Sequence, residues 1–416
     1  MKEQLKTPFN IIVIVAALGY FVDIYDLILF GIIRVKSLNG LGITDPQQIT
    51  DMGINLINLQ MIGMLTGGII WGIMGDKKGR VSVLFGSILL YSIANIANAY
   101  VQEIADMIGV SGITAYGWMR FVAGVGLAGE LGAGITLVNE VMTKEHRGYG
   151  TMIVVSFGVL GAVAANLVSF VQWQTSYIIG GIMGLVLLML RIGVYESGLY
   201  ANVKESNIKK GNLLMLFSNW ERFLKYLSCI AIGIPIWYMI GVLVILSPEI
   251  SKSLGIEGVK PGDAIMYFYA ATSFGDFMSG YLSQVFKSRK KIVFLYLMIT
   301  VIMTPVYLYT KNISAIGFYV ICGFLGIAAG YWAVFVTTAS EQFGTNLRAT
   351  VTTTVPNFVR GSLTLLTLLL NLFRNMMGYD IITSCLLVGI ISILIAFAAL
   401  FGLKETYGKD LNFVEE

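Results

Sequence analysis

Five ionisable side chains, Asp23, Asp26, Glu130, Asp276 and Arg360, lie inside long apolar stretches of the chain. A charge placed there is costly, and such residues are kept for ion pairing, ligand binding or proton movement. A carboxylic acid shielded from water can exchange a proton during a working cycle. Glu130 is the first candidate for that role, followed by Asp23 and by Asp26, which stands three residues from Asp23 on one helix. Two charged acids so close on a helix face repel each other, so at least one of them is expected to carry a proton. Arg360 has a different chemistry. Its planar guanidinium binds a carboxylate through two parallel hydrogen bonds, so it is the candidate anchor for a small organic anion. Tyr20, Asn357, Trp237, Tyr238, Trp332 and Asp276 are the further candidates for ligand contact.

At a rise of about 1.5 Å per helical residue, these charges fall at similar depths. Asp23 lies roughly 20 Å beyond Asn10, and Glu130 roughly 15 Å from Glu140. Arg360 lies roughly 18 Å from Arg348, and Asp276 roughly 17 Å from Lys287. Arg120 sits nearer the other end of its stretch and is expected to be interfacial or structural.

The elements that hold these residues are membrane spans. The chain is 56% hydrophobic and 12% charged, and a soluble domain carries about twice that charged fraction. Apolar runs long enough to cross a bilayer recur along the whole chain. Twelve spans are expected, over 10–34, 55–75, 81–101, 115–141, 148–171, 175–195, 222–247, 264–286, 292–309, 314–338, 349–373 and 380–403. The polar stretch 196–221 divides the chain into a first six-helix bundle, 1–195, and a second, 222–416. The fold class is therefore an all-α membrane protein with two pseudo-symmetric six-helix bundles. Lysine and arginine cluster in loops on one side, as at Lys77, Lys78, Arg80 and Lys287 to Lys291. Such loops face the cytoplasm, which places both termini there. The opposite side carries Arg34, Lys36, Lys252, Lys260, Lys311 and Arg374, and Arg120 and Arg360 are read as the arginines within spans.

Two patterns repeat between the halves in the same order. Glu140 and Arg147 follow span 4, and Glu341 and Arg348 follow span 10 at the same separation. GIMGDKKGR, Gly72 to Arg80, joins spans 2 and 3, and a looser copy, GYLSQVFKSRKK, follows span 8 with Gln284 in place of Asp76. The first loop matches the signature of the major facilitator superfamily at Gly72, Asp76, Lys77, Gly79 and Arg80. Arg120 to Gly148 and Ser340 to Gly361 resemble segments of its sugar-porter and acid:proton-symporter branches. The resemblance implies secondary transport of a small molecule by alternating access, with spans 1, 4, 7 and 10 around a central cavity. It also implies that the Gly72–Arg80 loop, joined by Glu140, Arg147, Glu341 and Arg348, latches the halves together in one conformation. The expectation is a monomer in a bacterial inner membrane that takes up a small organic anion with protons. The rivals are a cationic or zwitterionic solute held by Asp23 and Asp26, a neutral sugar, and a receptor or scaffold that has lost transport.

Other features read as structural. Gly124, Gly126 and Gly129 spell GxGxxG, but inside a span they serve close helix packing, not a nucleotide. Cys229, Cys322 and Cys385 are dispersed in apolar segments, and the single histidine, His146, lies in a basic loop. No nucleophile–base pair or metal set appears, so an enzyme, a metal and a cofactor are not expected. The net charge of +4 comes from membrane-orienting loops and does not call for nucleic acid. Residues 11–33 are too long and too polar within to be a cleavable leader.

Overall fold

The computed structural model describes residues 10–142, 147–196, 213–344, 346–409 and 415. Helices dominate it, and among the described residues no strand occurs. Span 1 is Ile11–Gly40, span 2 Pro46–Lys78 and span 3 Arg80–Ala99. A short helix, Val101–Ile108, leads to span 4, which is broken into Gly112–Leu127 and Glu130–Val141. Span 5 is Arg147–Gly158 with Gly161–Val168, and span 6 is Trp173–Glu196.

The second half repeats the plan. Span 7 comprises Trp220–Ala231, Ile234–Trp237 and the wider-wound Tyr238–Val244. Span 8 is Pro261–Val285, span 9 Arg289–Tyr309, and span 10 Ala315–Ala329 with Trp332–Gln342. Span 11 is Arg348–Asn371 and span 12 Ile381–Gly402. Among the described residues, ten of the twelve are long and apolar enough to cross a membrane on their own account. Span 4 and span 8 complete the set.

Local chemistry sets the helix ends. The Asn10 side chain accepts from the backbone N–H groups of Ile12 and Val13 and so caps span 1. Asp45 caps span 2, with Pro46 at the first helical position, where its missing N–H costs nothing. Gly79 turns the chain between spans 2 and 3 with φ of +90°, a conformation that side chains disfavour. The first two spans exceed their expected limits. Span 1 runs on to Gly40 and span 2 starts at Pro46, not near 55. Arg34, read from sequence as the outer end of span 1, lies inside the longer helix. It is 1% exposed and pairs with Glu249 at 2.7 Å, so the helix continues past it.

Helix breaks in spans 4, 7 and 10 free backbone groups that a membrane cannot hydrate, so protein must satisfy them. The Asn357 amide donates to Ala128 O at the span 4 break (2.7 Å). The Tyr331 hydroxyl donates to Ile232 O at the span 7 break (2.9 Å). Asp276 accepts the N–H of Ala333 just past the span 10 break (3.0 Å).

The halves meet chiefly where span 2 lies along span 11 and span 5 along span 8. Polar bonds cross that seam at several depths. Asn166 donates to Asp263 (3.2 Å), Ser273 to Ser156 O (2.7 Å), and Thr367 to Asn58 (3.1 Å). Within the first half, spans 2 and 4 cross closely. A Cβ on Gly63 or Gly124 would run into the partner's backbone, which is the packing role expected of these glycines.

Candidate functional site

Three elements from both halves build the centre. The middle of span 1 supplies Tyr20 and Asp23, span 11 supplies Asn357 and Arg360, and the half-helix after the span 10 break opens with Trp332. Arg360 Nη2 donates to Asp23 Oδ2 at 3.3 Å and reaches the Tyr20 hydroxyl at 3.5 Å. Its Nη1 reaches Asn357 Oδ1 at 3.5 Å. The guanidinium carbon also lies 5.7 Å from the Trp332 ring centre and 6.0 Å from that of Tyr20. Phe335 extends the aromatic wall, 4.9 Å from Trp332. All of these groups are buried, none of the polar ones by less than 96%. The result is a guanidinium held loosely by one carboxylate and walled by rings. It can exchange that carboxylate for another anion, and the rings can stack on a flat molecule.

The other acids are placed differently. Glu130 meets Arg191 of span 6 in a two-bond pair: Nη1 donates to Oε2 at 2.9 Å, and Nη2 donates to Oε1. Asp276 faces the broken end of span 10 through Ala333, and its carboxylate suits the positive end of that half-helix. Asp26 is fully buried one turn beyond Asp23, and neither of its oxygens accepts a hydrogen bond among the described residues. Arg120, expected to be interfacial or structural, is fully buried. It donates to Gln60 and reaches the Tyr177 hydroxyl at 3.5 Å.

The candidate contacts thus divide. Tyr20, Asp23, Trp332, Asn357 and Arg360 come together. Tyr238 does not join them, because its hydroxyl donates to Cys385 O on span 12 at 2.9 Å. Trp237 is buried on the short helix that packs on span 11. Arg191 escaped the sequence reading, which counted it among the basic residues of the cytoplasmic side. It is 2% exposed, and its signal was its place within the apolar run LLMLRIGV. Tyr269 of span 8, buried beside Arg360 and Asp23, also escaped.

The family model described as Major Facilitator Superfamily matches residues 11–361. The chain belongs to that superfamily. It is accordingly a multi-pass membrane transporter and not an enzyme. A putative metabolite transport protein of Haemophilus influenzae is 26% identical over 418 residues, covering 95% of this chain and 96% of the relative. A putative niacin/nicotinamide transporter, NiaP of Bacillus subtilis, is 25% identical over 359 residues, covering 83% of this chain and 84% of the relative. Among solved structures, the proton:xylose symporter XylE superposes with a TM-score of 0.70 at 16% identity, covering 96% of this chain and 97% of XylE. That likeness confirms the facilitator fold.

In this facilitator, the loop between spans 2 and 3 takes the tight turn at Gly79, and Lys77 is exposed beside it. Gly72 packs against Thr350 and Thr354 of span 11. The side chains of Asp76, Arg80, Glu140 and Arg147 lie outside the described residues. Glu341 is buried and pairs with Arg289 at 3.4 Å. Arg348 donates to Ser340 O (3.3 Å) and Phe343 O (3.2 Å), closing the turn between spans 10 and 11. Gln284, the second-half counterpart of Asp76, rests on Gly148 at the start of span 5, so it too lies at the seam.

Proposed function

We propose that this protein imports a small ring-bearing carboxylate together with protons by alternating access. The observation that carries the reading is the Arg360–Asp23 pair at 3.3 Å, formed between the two halves and walled by Trp332 and Tyr20. A solute carboxylate and ionised Asp23 compete for one guanidinium. A proton on Asp23 weakens its hold and frees Arg360 for the solute. Loss of that proton on the inner side restores the pair and displaces the solute. Solute and proton therefore travel in the same direction. Asp26, one turn away, shares the proton with Asp23. Glu130, held by Arg191, fixes spans 4 and 6 around span 1 and joins the cycle only if that pair opens. Trp332 and Tyr20 stack on the ring and Asn357 orients the anchor. Trp237 lines the second-half wall, and Asp276 holds Trp332 in place.

The name of the Bacillus subtilis relative supports a ring acid, since niacin is a pyridine carboxylic acid. The basic loops support an inner-membrane carrier with both termini and the 196–221 segment cytoplasmic. The Gly72–Arg80 loop, with Glu140, Arg147, Glu341 and Arg348, acts as the cytoplasmic latch, and the carrier works as a monomer of two bundles, 1–195 and 222–416.

Uptake into proteoliposomes tests the reading. Purified protein should accumulate labelled niacin, or a benzoate-like acid that competes with it, when the outside is made acidic. A protonophore should abolish accumulation, and so should Arg360→Ala. Saturable transport of an amine or a sugar that carries no anionic group, with ring acids ignored, would overturn it.

A further inference from the structure

Span 3 presents Tyr91, Ser92, Asn95 and Asn98 to the interior of the first half, all fully buried. Their spacing puts them on one helical face, where packing alone would favour small or apolar residues. Asp26 of span 1 stands against that face. The Asn95 amide lies beside the Asp26 carboxylate, yet neither group makes a well-formed hydrogen bond, and Ser92 Oγ, Tyr91 Oη and Asn98 Oδ1 also lack a partner among the described residues. Glycines let the backbone of span 6 come close to these groups. A Cβ on Gly180 would overlap Asp26 Oδ1, and one on Gly184, a turn further, would overlap Ser92 Oγ.

Polar atoms are costly to bury without partners, and where several converge, ordered water is the usual partner. The charged and titratable groups around Asp26 are Asp23 and Tyr25 on its own span, Tyr91 on span 3, Arg120 on span 4 and Tyr177 on span 6. Among the described residues no set of His, Cys, Asp or Glu side chains could hold a metal ion there, whereas water and protons need no such set.

We propose that the seam between spans 1, 3 and 6 is a hydrated proton path, separate from the solute route, running from the Asn98 end of span 3 to Asp26. It rests on the proton-coupled reading above. A water in the seam gives a proton to the Asp26 carboxylate and regains one from its outer neighbour. Asp26 then passes its proton to Asp23 and returns to the carboxylate. Only O–H bonds form and break, and no oxidant or other reactant is needed. Asn95 and Ser92 orient the waters without touching the solute.

The test compares wild type with Asn95→Leu, Asn95→Ser and Gly184→Ala in proteoliposomes. Asn95→Leu fills the seam and removes its central amide. It should cut proton-driven accumulation at least about tenfold while leaving exchange of labelled for unlabelled solute within about twofold. Asn95→Ser keeps room and polarity and should restore most of the accumulation. Gly184→Ala sets a methyl group against Ser92 Oγ, should lower accumulation in the same selective way and serves if Asn95→Leu does not fold. Wild-type accumulation by the folded Leu and Ala variants would overturn the path, and so would equal loss of exchange and accumulation in all three variants. If wild-type uptake ignores the proton gradient, the proton-coupled reading itself fails. If Asp26→Asn blocks accumulation while the seam variants do not, that reading stands and the path alone is wrong.

Discussion

Arg191 clasps Glu130 with two hydrogen bonds directly over the backbone of Gly19, where a Cβ would overlap both side chains. A glycine on span 1 thus makes room for an ion pair between spans 4 and 6. Removing one partner leaves a buried unpaired charge, at a cost of about 3 to 5 kcal/mol. Glu130→Gln and Arg191→Gln should each destabilise the protein strongly, and the double variant should recover much of the loss. Thermal melting in detergent, arranged as a double-mutant cycle, measures this. Additive losses would show that the pair contributes nothing as a pair. Gly19→Leu should be at least as harmful as either single change, because it pushes both charges aside.

In the proposed mechanism, the Asp23–Arg360 pair should make solute affinity depend on pH. As pH rises, ionised Asp23 reclaims the guanidinium and a carboxylate solute should bind more weakly. Asp23→Asn removes the competitor, so its binding should be tighter at high pH and nearly flat with pH. Arg360→Lys should weaken binding severely, because an ammonium cannot form the two-bond contact. Calorimetric titration of niacin at several pH values is the measurement. An unchanged pH profile in Asp23→Asn would remove the competition from the mechanism.

On the side opposite the basic loops, Arg34 of span 1 holds Glu249 at 2.7 Å, and Thr50 of span 2 donates to the same carboxylate at 3.2 Å. This bridge joins the halves and must open for that side to open. Glu249→Ala should shift the population toward a state open on that face. A cysteine at Ile245, which faces Gly31 across the seam, should then react faster with an impermeant thiol reagent added outside. Equal labelling rates would mean that the bridge does not gate.

As the proposed latch, the loop from Gly72 to Arg80 would bias conformation without touching the solute. Asp76→Asn should therefore lower the transport rate far more than it lowers solute affinity. Gln284→Asp tests the other side, since it restores the repeat at a position packed on Gly148. It should favour the conformation closed on the basic side and slow transport. Wild-type rates in both variants at normal expression would argue against a latch.

Glu405, just past span 12, ties the tail to the start of span 9. It is partly buried, which raises its pKa. Hydrogen bonds from Ser288 and from the N–H groups of Tyr407, Arg289 and Thr406 outweigh this and hold it below the usual glutamate value. A lowered folded-state pKa contributes stability that is present above the unfolded value and lost as pH falls through the folded one. The wild type should thus lose this contribution on acidification below the ordinary glutamate range. Glu405→Gln should be less stable at neutral pH, and the difference should shrink in acid. A melting-temperature series against pH for both proteins checks it.

Sequence alone determined the all-helical membrane fold, the span order and the repeat, because hydrophobic length and motif spacing are local properties. It could not determine which way each helix turns or which neighbour it meets. Arg360 was known to lie deep, but its partner Asp23 is 337 positions away, and only the packing of span 11 beside span 1 joins them. The same limit hid Arg191 as the partner of Glu130, and it hid the turn of Tyr238 toward span 12. Arg34 read as the end of span 1 because a charge usually ends a span. Tertiary structure kept it helical by burying it against Glu249 of the other half.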